Sequence, residues 1–357
     1  MNTPAISASA PASLDDPRQL RHESLPEDVE LVGIVIDQRT DSRRRFGLRT
    51  RMILTRIAQA AFVLWAAITV TFIAIHAMPG DVVSLLLGEN RNDDALRASI
   101  IERWGLDEPV WSQYLIYLVR IPAGDLGTSY TLRKPVGELI AEMMVPTFQL
   151  AATALVVAVV LGFLIAYATT GRVPGLRSAT NVLELVFLSA PPFWIGIVLL
   201  AVFSFQLGWF SVVDLSSWQS LVLPVAAIGL PMGFYMAQVL RDGIDRALEK
   251  PFSLTARSRG LSWAGVRQHH ALRHASLPAI PLIGLIAGGL LGGAVITETV
   301  FARPGLGQIA VNAVLVKDIP LILGIALVST FAYIVASTSA DLIGVLIDPR
   351  FNTEKRG

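Results

Sequence analysis

Six stretches of this 357-residue chain are apolar over a length that lets an α-helix cross the hydrocarbon core of a membrane. Hydrophobic residues make up 53% of the sequence and charged residues only 16%, unlike a typical soluble domain. The sequence therefore predicts an all-α integral membrane protein. Its six transmembrane helices are expected near residues 52–77, 147–169, 183–207, 218–240, 279–301 and 320–347.

The distribution of lysine and arginine predicts how the chain is oriented. Six spans place both termini on one side of the membrane, and that side carries 21 of the 29 Lys and Arg residues, against eight on the other. Because loops rich in these residues stay inside the cell, both termini are predicted to be cytoplasmic. Residues 1–47 are polar and lack a signal-peptide core, so they are predicted to be a disordered N-terminal extension. Residues 352–357 form a C-terminal tail.

The loop of residues 78–145, between the first two spans, is too long for a simple connector. Residues 93–106 and 109–121 repeat apolar residues at helical spacing, and residues 134–144 (KPVGELIAEMM) favour a further short helix. This loop is predicted to form an extracytoplasmic cap on the membrane surface. Either it only packs on the spans or it also docks an external partner, and the sequence leaves both interpretations open.

A basic segment, residues 241–277, separates the fourth and fifth predicted spans. Pro251 can begin a short helix, and Gly260 is placed to end it in the left-handed conformation. Ser262 can cap a second helix, which is expected to end before Pro278. Orientation and lipid phosphates explain the positive charge of this segment, but they do not explain the apolar residues among the arginines. A surface that mixes both suits a protein partner.

Several residues in or next to the spans raise structural expectations. Asp341 lies within the sixth span, where an unpaired carboxylate is costly, and is expected to pair or pack. Glu184 is expected at the membrane interface. Asp242 and Arg246 lie four residues apart and are expected to pair on a helix surface. The glycine-rich run 288–293 favours a tight packing face in the fifth span.

The sequence carries no pattern typical of an enzyme or a metal site. It contains no cysteine, and it lacks the G-x-S-x-G and H-E-x-x-H patterns as well as the G-x-x-x-x-G-K-[ST] loop that cradles nucleotide phosphates. His269, His270 and His274 share a helix, but without a nearby carboxylate or cysteine they indicate a solvated face rather than a metal site. We predict no catalytic residue, no metal, no cofactor bound by this chain itself and no nucleic-acid partner.

Two segments in the basic region resemble a known family. TARSRGL (255–261) followed by HALRHASLP (270–278) is similar to the cytoplasmic loop of binding-protein-dependent ABC importer permeases, and more narrowly to the first membrane subunit of the dipeptide/oligopeptide/nickel family. The resemblance covers residues 48–351 and departs from the family at His274, where asparagine is frequent. Further similar segments, in order, are HAMPGD (76–81), GLDEPVWSQYLIYL (105–118), GDLGTSY (124–130), APPFWIGI (190–197), LGWF (207–210), ETVFARPGLG (298–307) and DPR (348–350).

This resemblance implies a type I (MetI-like) permease fold in the bacterial inner membrane. Such a permease pairs with a second, homologous permease, and two cytoplasmic ABC ATPases that hold ATP and Mg²⁺ drive the pair. A binding protein delivers cargo from outside, and a short loop helix of each permease sits in a groove on one ATPase. The residues to which this coupling role carries over are Thr255, Ala256, Arg257, Arg259 and Gly260.

The resemblance also bears on the outer side and on the cargo. Glu298, Pro304 and Gly305 are candidates for an outer gate or a contact with the binding protein, and a structural hydrogen bond is an equal alternative for Glu298. The implied cargo is di- or oligopeptides. Nickel chelates, glutathione-like compounds and oligosaccharides are the alternatives within the same machinery. An ion-coupled secondary transporter is a remote alternative, since neither internal repeats nor many charges within spans are present.

Overall fold

The computed structural model describes residues 38–88, 92–170, 174–211 and 218–347, and these are mostly helical. The chain divides into two units, Met1–Gln59 and Ala60–Gly357. Of the first unit, only the part of α1 up to residue 59 is described. The helices are α1 (Gln38–Ala77), α2 (Val82–Leu87), α3 (Asp94–Trp104), α4 (Val110–Arg120), α5 (Val136–Thr169), α6 (Pro174–Ser189), α7 (Pro192–Leu199), α8 (Gln219–Leu248), α9 (Pro251–Ser258), α10 (Trp263–Val266), α11 (Leu272–Val300), α12 (Leu306–Leu315) and α13 (Ile319–Ile347).

Four helices of the described ranges are long and apolar enough to cross a membrane unbroken. Two bent pairs, α6 with α7 and the α10 region with α11, raise the number of candidate spans to six. The predicted all-α membrane class is confirmed, and the spans fall in the predicted order. The four unbroken spans are Leu54–Ala77, Val136–Thr169, Gln219–Leu248 and Ile319–Ser339.

The second span begins earlier than predicted. Residues 134–144 do not form a separate short helix, because α5 runs without interruption from Val136 through Pro146. A proline inside a helix removes one backbone hydrogen bond. Next to it, the Thr147 hydroxyl oxygen lies 3.2 Å from the Met143 carbonyl oxygen, so this side chain stays close to the backbone of the same turn. About one third of α5 therefore lies in what the sequence predicted to be loop.

The third span is not one straight helix. α6 and the helix from Pro192 to Gln206 meet at an angle of 106°. The break falls at Pro191, whose backbone is extended (φ −61°, ψ 138°). Neither of the two consecutive prolines has an N–H for the helical ladder, and the residue before each proline is disfavoured in the α conformation. The predicted single helix 183–207 is wrong in this respect.

The fifth span also differs from the expectation that its preceding helix ends before Pro278. α10 continues through a wider π-helical turn at residues 267–271 into α11, so the backbone stays helical past Pro278. The proline is accommodated by a bend of 54° between residues 276 and 279. A bend of this kind is the usual consequence of a proline within a membrane helix. The segment before the fifth span is therefore joined to it by continuous helix.

The core of the second unit is built where α5 crosses α8, with α11 packed against both. Here Gly162 lies against Met236, and a Cβ on the glycine would be 2.5 Å from Met236 Cγ. A Cβ on Gly233 would likewise be only 2.9 Å from Leu161 Cδ2. A larger side chain at either glycine would push the helices apart. These glycines, rather than the predicted run 288–293, form the tight crossing; in that run only Gly288 has a close neighbour.

Candidate functional site

The segment between α8 and α11, residues 249–271, forms a compact turn of two helices, which we call the elbow. α9 ends at Ser258, two residues before the predicted stop at Gly260, and Gly260 has the left-handed φ of +90° that the prediction required. The Gly260 N–H donates to the Arg257 carbonyl at 2.9 Å, and the Leu261 N–H donates to the Ala256 carbonyl at 3.2 Å. This pair of bonds is a Schellman motif, which favours glycine at the left-handed position. The elbow therefore has a defined backbone shape.

The second half of the elbow is held against the first by side chains. As predicted, Ser262 caps α10, and its hydroxyl accepts the Gly265 N–H at 3.2 Å. The guanidinium of Arg257 lies 4.4 Å from the ring centroid of Trp263, at the start of α10. A cation over an aromatic face at this distance is attractive. Trp263 was not among the predicted coupling residues, and its role depends on a turn that only the fold creates.

The elbow presents a surface that is both cationic and apolar. Two large apolar side chains, Leu254 and Trp263, are more than half exposed there. Ala256, by contrast, is buried, so it can hold α9 in place but cannot offer a side chain to a partner. Four of the five predicted coupling residues are exposed: Thr255, Arg257, Arg259 and Gly260.

A buried arginine anchors the elbow to the helical bundle. Arg267 Nη1 donates to the carbonyl oxygen of Thr170, just past the end of α5, at 2.7 Å. Its guanidinium also lies 4.2 Å from the ring centroid of Tyr167. A buried cation is costly without such partners, so these contacts resist separation. These contacts therefore link the elbow directly to the end of α5. From the sequence, Arg267 was predicted only to be one of several positive charges.

A buried ion pair joins α6 to α8 near the elbow. Arg241 donates from both terminal nitrogens to the Glu184 carboxylate, at 2.9 and 2.6 Å. Their side chains are only 5% and 6% exposed. Glu184 was expected at the interface, but the structure buries it against a cation instead. This bidentate arrangement, with two parallel N–H···O bonds, is the strongest that arginine and carboxylate can adopt.

The other charged residues near this end of α8 are arranged differently from the prediction. Among the ion pairs between described residues, none joins Asp242 to Arg246. Instead Arg177 of α6 pairs with Asp245 at 2.9 Å, because α6 packs along that face of α8. The Asp341 side chain, predicted to pair or pack, falls outside the described part of the structure.

His269 and His270 in the elbow, and His274 just after it in α11, each contact a residue of the elbow. His269 Nδ1 lies 3.2 Å from the Gly265 carbonyl oxygen. The rings of His270 and His274 lie 6.2 and 5.0 Å from the ring of Phe252, measured between centroids. Among the described residues, no group of three or more His, Cys, Asp or Glu side chains is arranged to hold a metal ion.

At the opposite end of α11, the carboxylate of Glu298 caps α12, a helix that the sequence did not predict. Glu298 is fully buried and accepts hydrogen bonds from the Thr147 hydroxyl at 2.6 Å and from the N–H groups of Gly307 and Gln308 at 2.7 and 3.3 Å. The Thr147 hydroxyl oxygen in turn accepts the Leu306 N–H at 2.8 Å. The first N–H groups of a helix have no partner within it, and a negative charge is favourable at that end. Glu298 thus makes the structural hydrogen bonds that one alternative proposed.

The other two gate candidates, Pro304 and Gly305, belong to the same junction. A Cβ on Gly305 would collide with the Glu298 carboxylate. Arg303 is buried beside them, and its N–H donates to the Glu298 carbonyl at 2.8 Å while its Nη2 donates to Gln149 Oε1 at 3.2 Å. Burial lowers the pKa of the Arg303 guanidinium, although the Glu298 carboxylate opposes that shift. The gate role of these residues stays a prediction.

The cap role of Glu298 makes a testable distinction between its charge and its hydrogen bonds. Glu298→Ala leaves buried N–H groups without an acceptor, and each such loss costs about 1–3 kcal/mol of stability. Glu298→Gln keeps one acceptor for Gly307, and its amide can donate to Thr147, whose hydroxyl can turn to the Met143 carbonyl. We therefore expect the alanine variant to lower the apparent unfolding temperature by several degrees and the glutamine variant to resemble wild type, measured by tryptophan fluorescence.

Uptake by the glutamine variant provides the control for this prediction. Normal uptake together with normal stability would agree with a capping role. Lost uptake in a glutamine variant of unchanged stability would instead show that the charge itself is used, as a gate or docking role requires.

A second buried junction ties the turn between α12 and α13 to the segment after α1. Lys317, which has a positive φ of 54°, donates from Nζ to the carbonyl oxygens of Met78 and Gly80, both at 2.6 Å. A buried ammonium group requires such acceptors. From the sequence, Lys317 was predicted only to be one of the eight positive charges on the extracytoplasmic side.

The neighbouring residue, Asp318, holds the cap segment on its other side. Its carboxylate accepts hydrogen bonds from the Ser129 hydroxyl at 2.6 Å and from the hydroxyl and N–H of Thr131 at 2.7 and 3.0 Å. Burial, together with the nearby Asp318 carboxylate, raises the pKa of Tyr130 between them. Lys317 and Asp318 therefore bring together two of the segments, 76–81 and 124–130, that carried the family resemblance. No sequence signal pointed to their meeting.

These features define a class of protein: an integral membrane protein in which one charged, partly apolar elbow is anchored to several membrane helices. The chain belongs to the family of binding-protein-dependent transport system inner membrane components. Residues 158–353 match the model of that family, and residues 49–151 match the model of its N-terminal region. It is therefore a permease subunit of an ABC importer, and the family predicted from the sequence is confirmed.

Curated relatives cover most of the chain. It is 32% identical over 300 residues to the glutathione transport system permease protein GsiC of Salmonella typhimurium, covering 83% of this chain and 97% of the relative. GsiC of Escherichia coli K12 is 32% identical over 289 residues, covering 80% and 94%. The chain also resembles a solved structure of an amino acid ABC transporter with histidines. The match covers 60% of this chain and 94% of the other chain, at 19% identity and a TM-score of 0.48.

Proposed function

We propose that this chain is one of two homologous permease subunits that together form the translocation pathway of an ATP-driven peptide importer. In this proposal, two ABC ATPases bind the pair from the cytoplasm, and an extracytoplasmic binding protein delivers the cargo. ATP and Mg²⁺ are held by the ATPase subunits. This agrees with the lack of a phosphate-binding loop sequence in this chain.

The observation that carries the proposal is the elbow. It has a defined turn, it exposes two arginines beside large apolar side chains, and it is anchored through Arg267 to α5. An exposed mixed surface of this kind suits a groove on a protein partner. Because α10 continues into α11, a partner that pulls on the elbow would also move a membrane span. Closure of the ATPases could thereby switch the pathway between inward-facing and outward-facing states.

Charge supports the proposed orientation. In the predicted six-span arrangement, the side of the membrane that carries the elbow has 21 of the 29 Lys and Arg residues. Because such loops favour the cytoplasm, we propose that the elbow faces the ATPases there and that the junctions around Glu298 and Lys317 face outwards. The cap and α12 would then face the binding protein.

Glutathione-like compounds are a second candidate cargo. The curated relatives at 32% identity are glutathione transport system permeases, and glutathione is itself a small peptide. Nickel chelates and oligosaccharides remain further alternatives within the same machinery. Cargo selection would rest largely with the binding protein, whose identity the chain does not specify.

Uptake by the whole complex tests the proposed function. The chain would be co-expressed with the permease, ATPases and binding protein encoded beside it, purified, and reconstituted in vesicles that contain ATP. Radiolabelled trialanine, glutathione and a nickel–histidine chelate would be offered with and without the binding protein. We expect accumulation of trialanine that requires both ATP and the binding protein.

Each of the other outcomes has a defined meaning. Uptake of glutathione alone would replace the peptide cargo by the second candidate. Accumulation driven by an ion gradient, by this chain without any ATPase, would overturn the proposal in favour of a secondary transporter.

A further inference from the structure

The cap helix α4 exposes an apolar stripe that no described part of the chain covers. Trp111, Leu115 and Val119 are 68%, 50% and 77% exposed. They are spaced four residues apart, so they share one side of the helix. An exposed apolar stripe of this kind marks a surface that contacts a partner or a membrane.

The other sides of α4 are accounted for. Tyr114 and Leu118 pack into the core that α1 shares with α13. Arg120 lies on the side away from the stripe and lines a cavity of about 480 Å³ between α4 and neighbouring cap residues. The cavity carries charged groups such as Glu102 and Asp125. α4 therefore has an apolar outer side, an inner side that packs on the bundle, and a third side that carries Gln113 and Arg120 together with the partly exposed Ile116.

Contacts with α1 give the depth of α4. The Tyr114 hydroxyl and the Thr69 hydroxyl are 2.6 Å apart, and the rings of Tyr114 and Phe72 have centroids 5.2 Å apart. Thr69 lies within the apolar span Leu54–Ala77. Counting from Ala77 at 1.5 Å per residue, it is about 12 Å inside the end of the helix. Tyr114 thus contacts α1 at a depth where the apolar span of that helix is expected to lie within the membrane.

The exposed residues of α1 at the same level agree with this placement. Val70 and Ile73, which flank Thr69 and Phe72 in the sequence, are both more than 60% exposed and apolar. A helix that packs beside them at this level has its own outer side turned toward the same medium. The stripe on α4 is therefore continuous in depth with a surface that faces the membrane.

We propose that α4 is an interfacial helix, and that Trp111, Leu115 and Val119 insert into the lipid leaflet at the Ala77 end of α1. A helix with a charged side and an apolar side lies in the plane of the interface in this way, and tryptophan is favoured at that level. The bilayer, rather than an external protein, occupies the stripe. Under this proposal, α4 packs on the spans and contacts lipid, and it does not dock an external partner. The proposal does not depend on the cargo.

Site-directed spin labelling tests this placement, and the chain is suited to it because it contains no cysteine. Single cysteines would replace Trp111, Leu115 or Val119 in the full complex, and Arg120→Cys on the third side of α4 would be the matched control. Each variant would carry a nitroxide in nanodiscs of phosphatidylethanolamine and phosphatidylglycerol. We expect the three stripe labels to collide several-fold more with oxygen, which dissolves in lipid, than with a water-soluble nickel chelate. The Arg120 label should show the opposite ratio.

A second measurement uses the unlabelled protein. Brominated lipids quench tryptophans that they touch, so the wild-type complex should lose more fluorescence than a Trp111→Phe complex. Stripe labels as accessible to the nickel chelate as the Arg120 label would overturn the proposal. If adding the binding protein then protected those labels, the stripe would be a protein-docking surface instead. Absence of any difference in quenching between wild type and Trp111→Phe would also count against lipid contact.

Discussion

Replacing Arg257 and Arg259 together by glutamate is expected to abolish ATP-driven uptake and the co-purification of the ATPase, while the chain still inserts in the membrane. Both side chains are exposed on the elbow, so their loss removes no contact in the core of the bundle, and within the elbow it removes the stacking of Arg257 on Trp263. Arginines that anchor a protein interface contribute about 2 kcal/mol or more each, and 1.4 kcal/mol is tenfold in affinity. Charge reversal adds repulsion wherever the partner is acidic. The readouts are uptake by vesicles and the amount of ATPase bound to the purified permease.

Three further variants separate the elbow surface from general charge and from backbone strain. Arg273→Glu changes an exposed arginine at the start of α11, outside the elbow, and should leave uptake near wild type. Gly260→Asp adds both a negative charge and strain, because φ at this residue is +90°. Gly260→Ala adds the strain alone, so any additional defect in the aspartate variant reports on charge. Wild-type uptake and wild-type ATPase binding in the double glutamate variant would show that the elbow is not the coupling site.

Replacing Arg241 by methionine is expected to cause a large loss of stability. Arg241 and Glu184 are buried and doubly hydrogen-bonded, so the variant leaves a carboxylate without its cation. Removing one partner of a buried pair typically costs about 3–5 kcal/mol. The expected result is a clear fall in the apparent unfolding temperature of the detergent-purified complex, followed by tryptophan fluorescence.

The double variant Arg241→Met with Glu184→Leu is the matched control for this prediction. Replacing both members of a buried pair by apolar side chains of similar volume is often neutral, so stability should return towards wild type. A double variant as unstable as the single one would mean that the ion pair is not the reason for the loss. Uptake by a stable double variant would then tell whether the link between α6 and α8 is needed for movement as well as for folding.

The parts of this protein that were predictable from sequence are those decided by residues close together in the chain. Apolar stretches predicted the order of the spans because a membrane helix satisfies its own backbone hydrogen bonds. Pro251, Gly260 and Ser262 predicted the ends of the elbow helices because caps act over three or four residues. The segment TARSRGL then pointed to the family that the comparisons confirmed.

Proline effects were predictable only in part. The same residue type passes through α5 at Pro146, breaks the third span by 106° at Pro191, and bends the fifth by 54° near Pro278. In each case the outcome depends on whether neighbouring helices and side chains can compensate for the lost hydrogen bond. Those neighbours are distant in sequence, and a local pattern does not contain them.

The sequence alone predicted the order of the helical spans and the basic elbow, because hydropathy, charge bias and capping are local properties, and its motifs resembled the permease family. Only the folded chain decided which buried charges meet. Glu298 reaches across 151 residues to Thr147, and Asp318 across 189 to Ser129. Such pairs form because a buried charge in a low-dielectric core must find hydrogen-bond partners, and the packing of helices determines which ones are within reach.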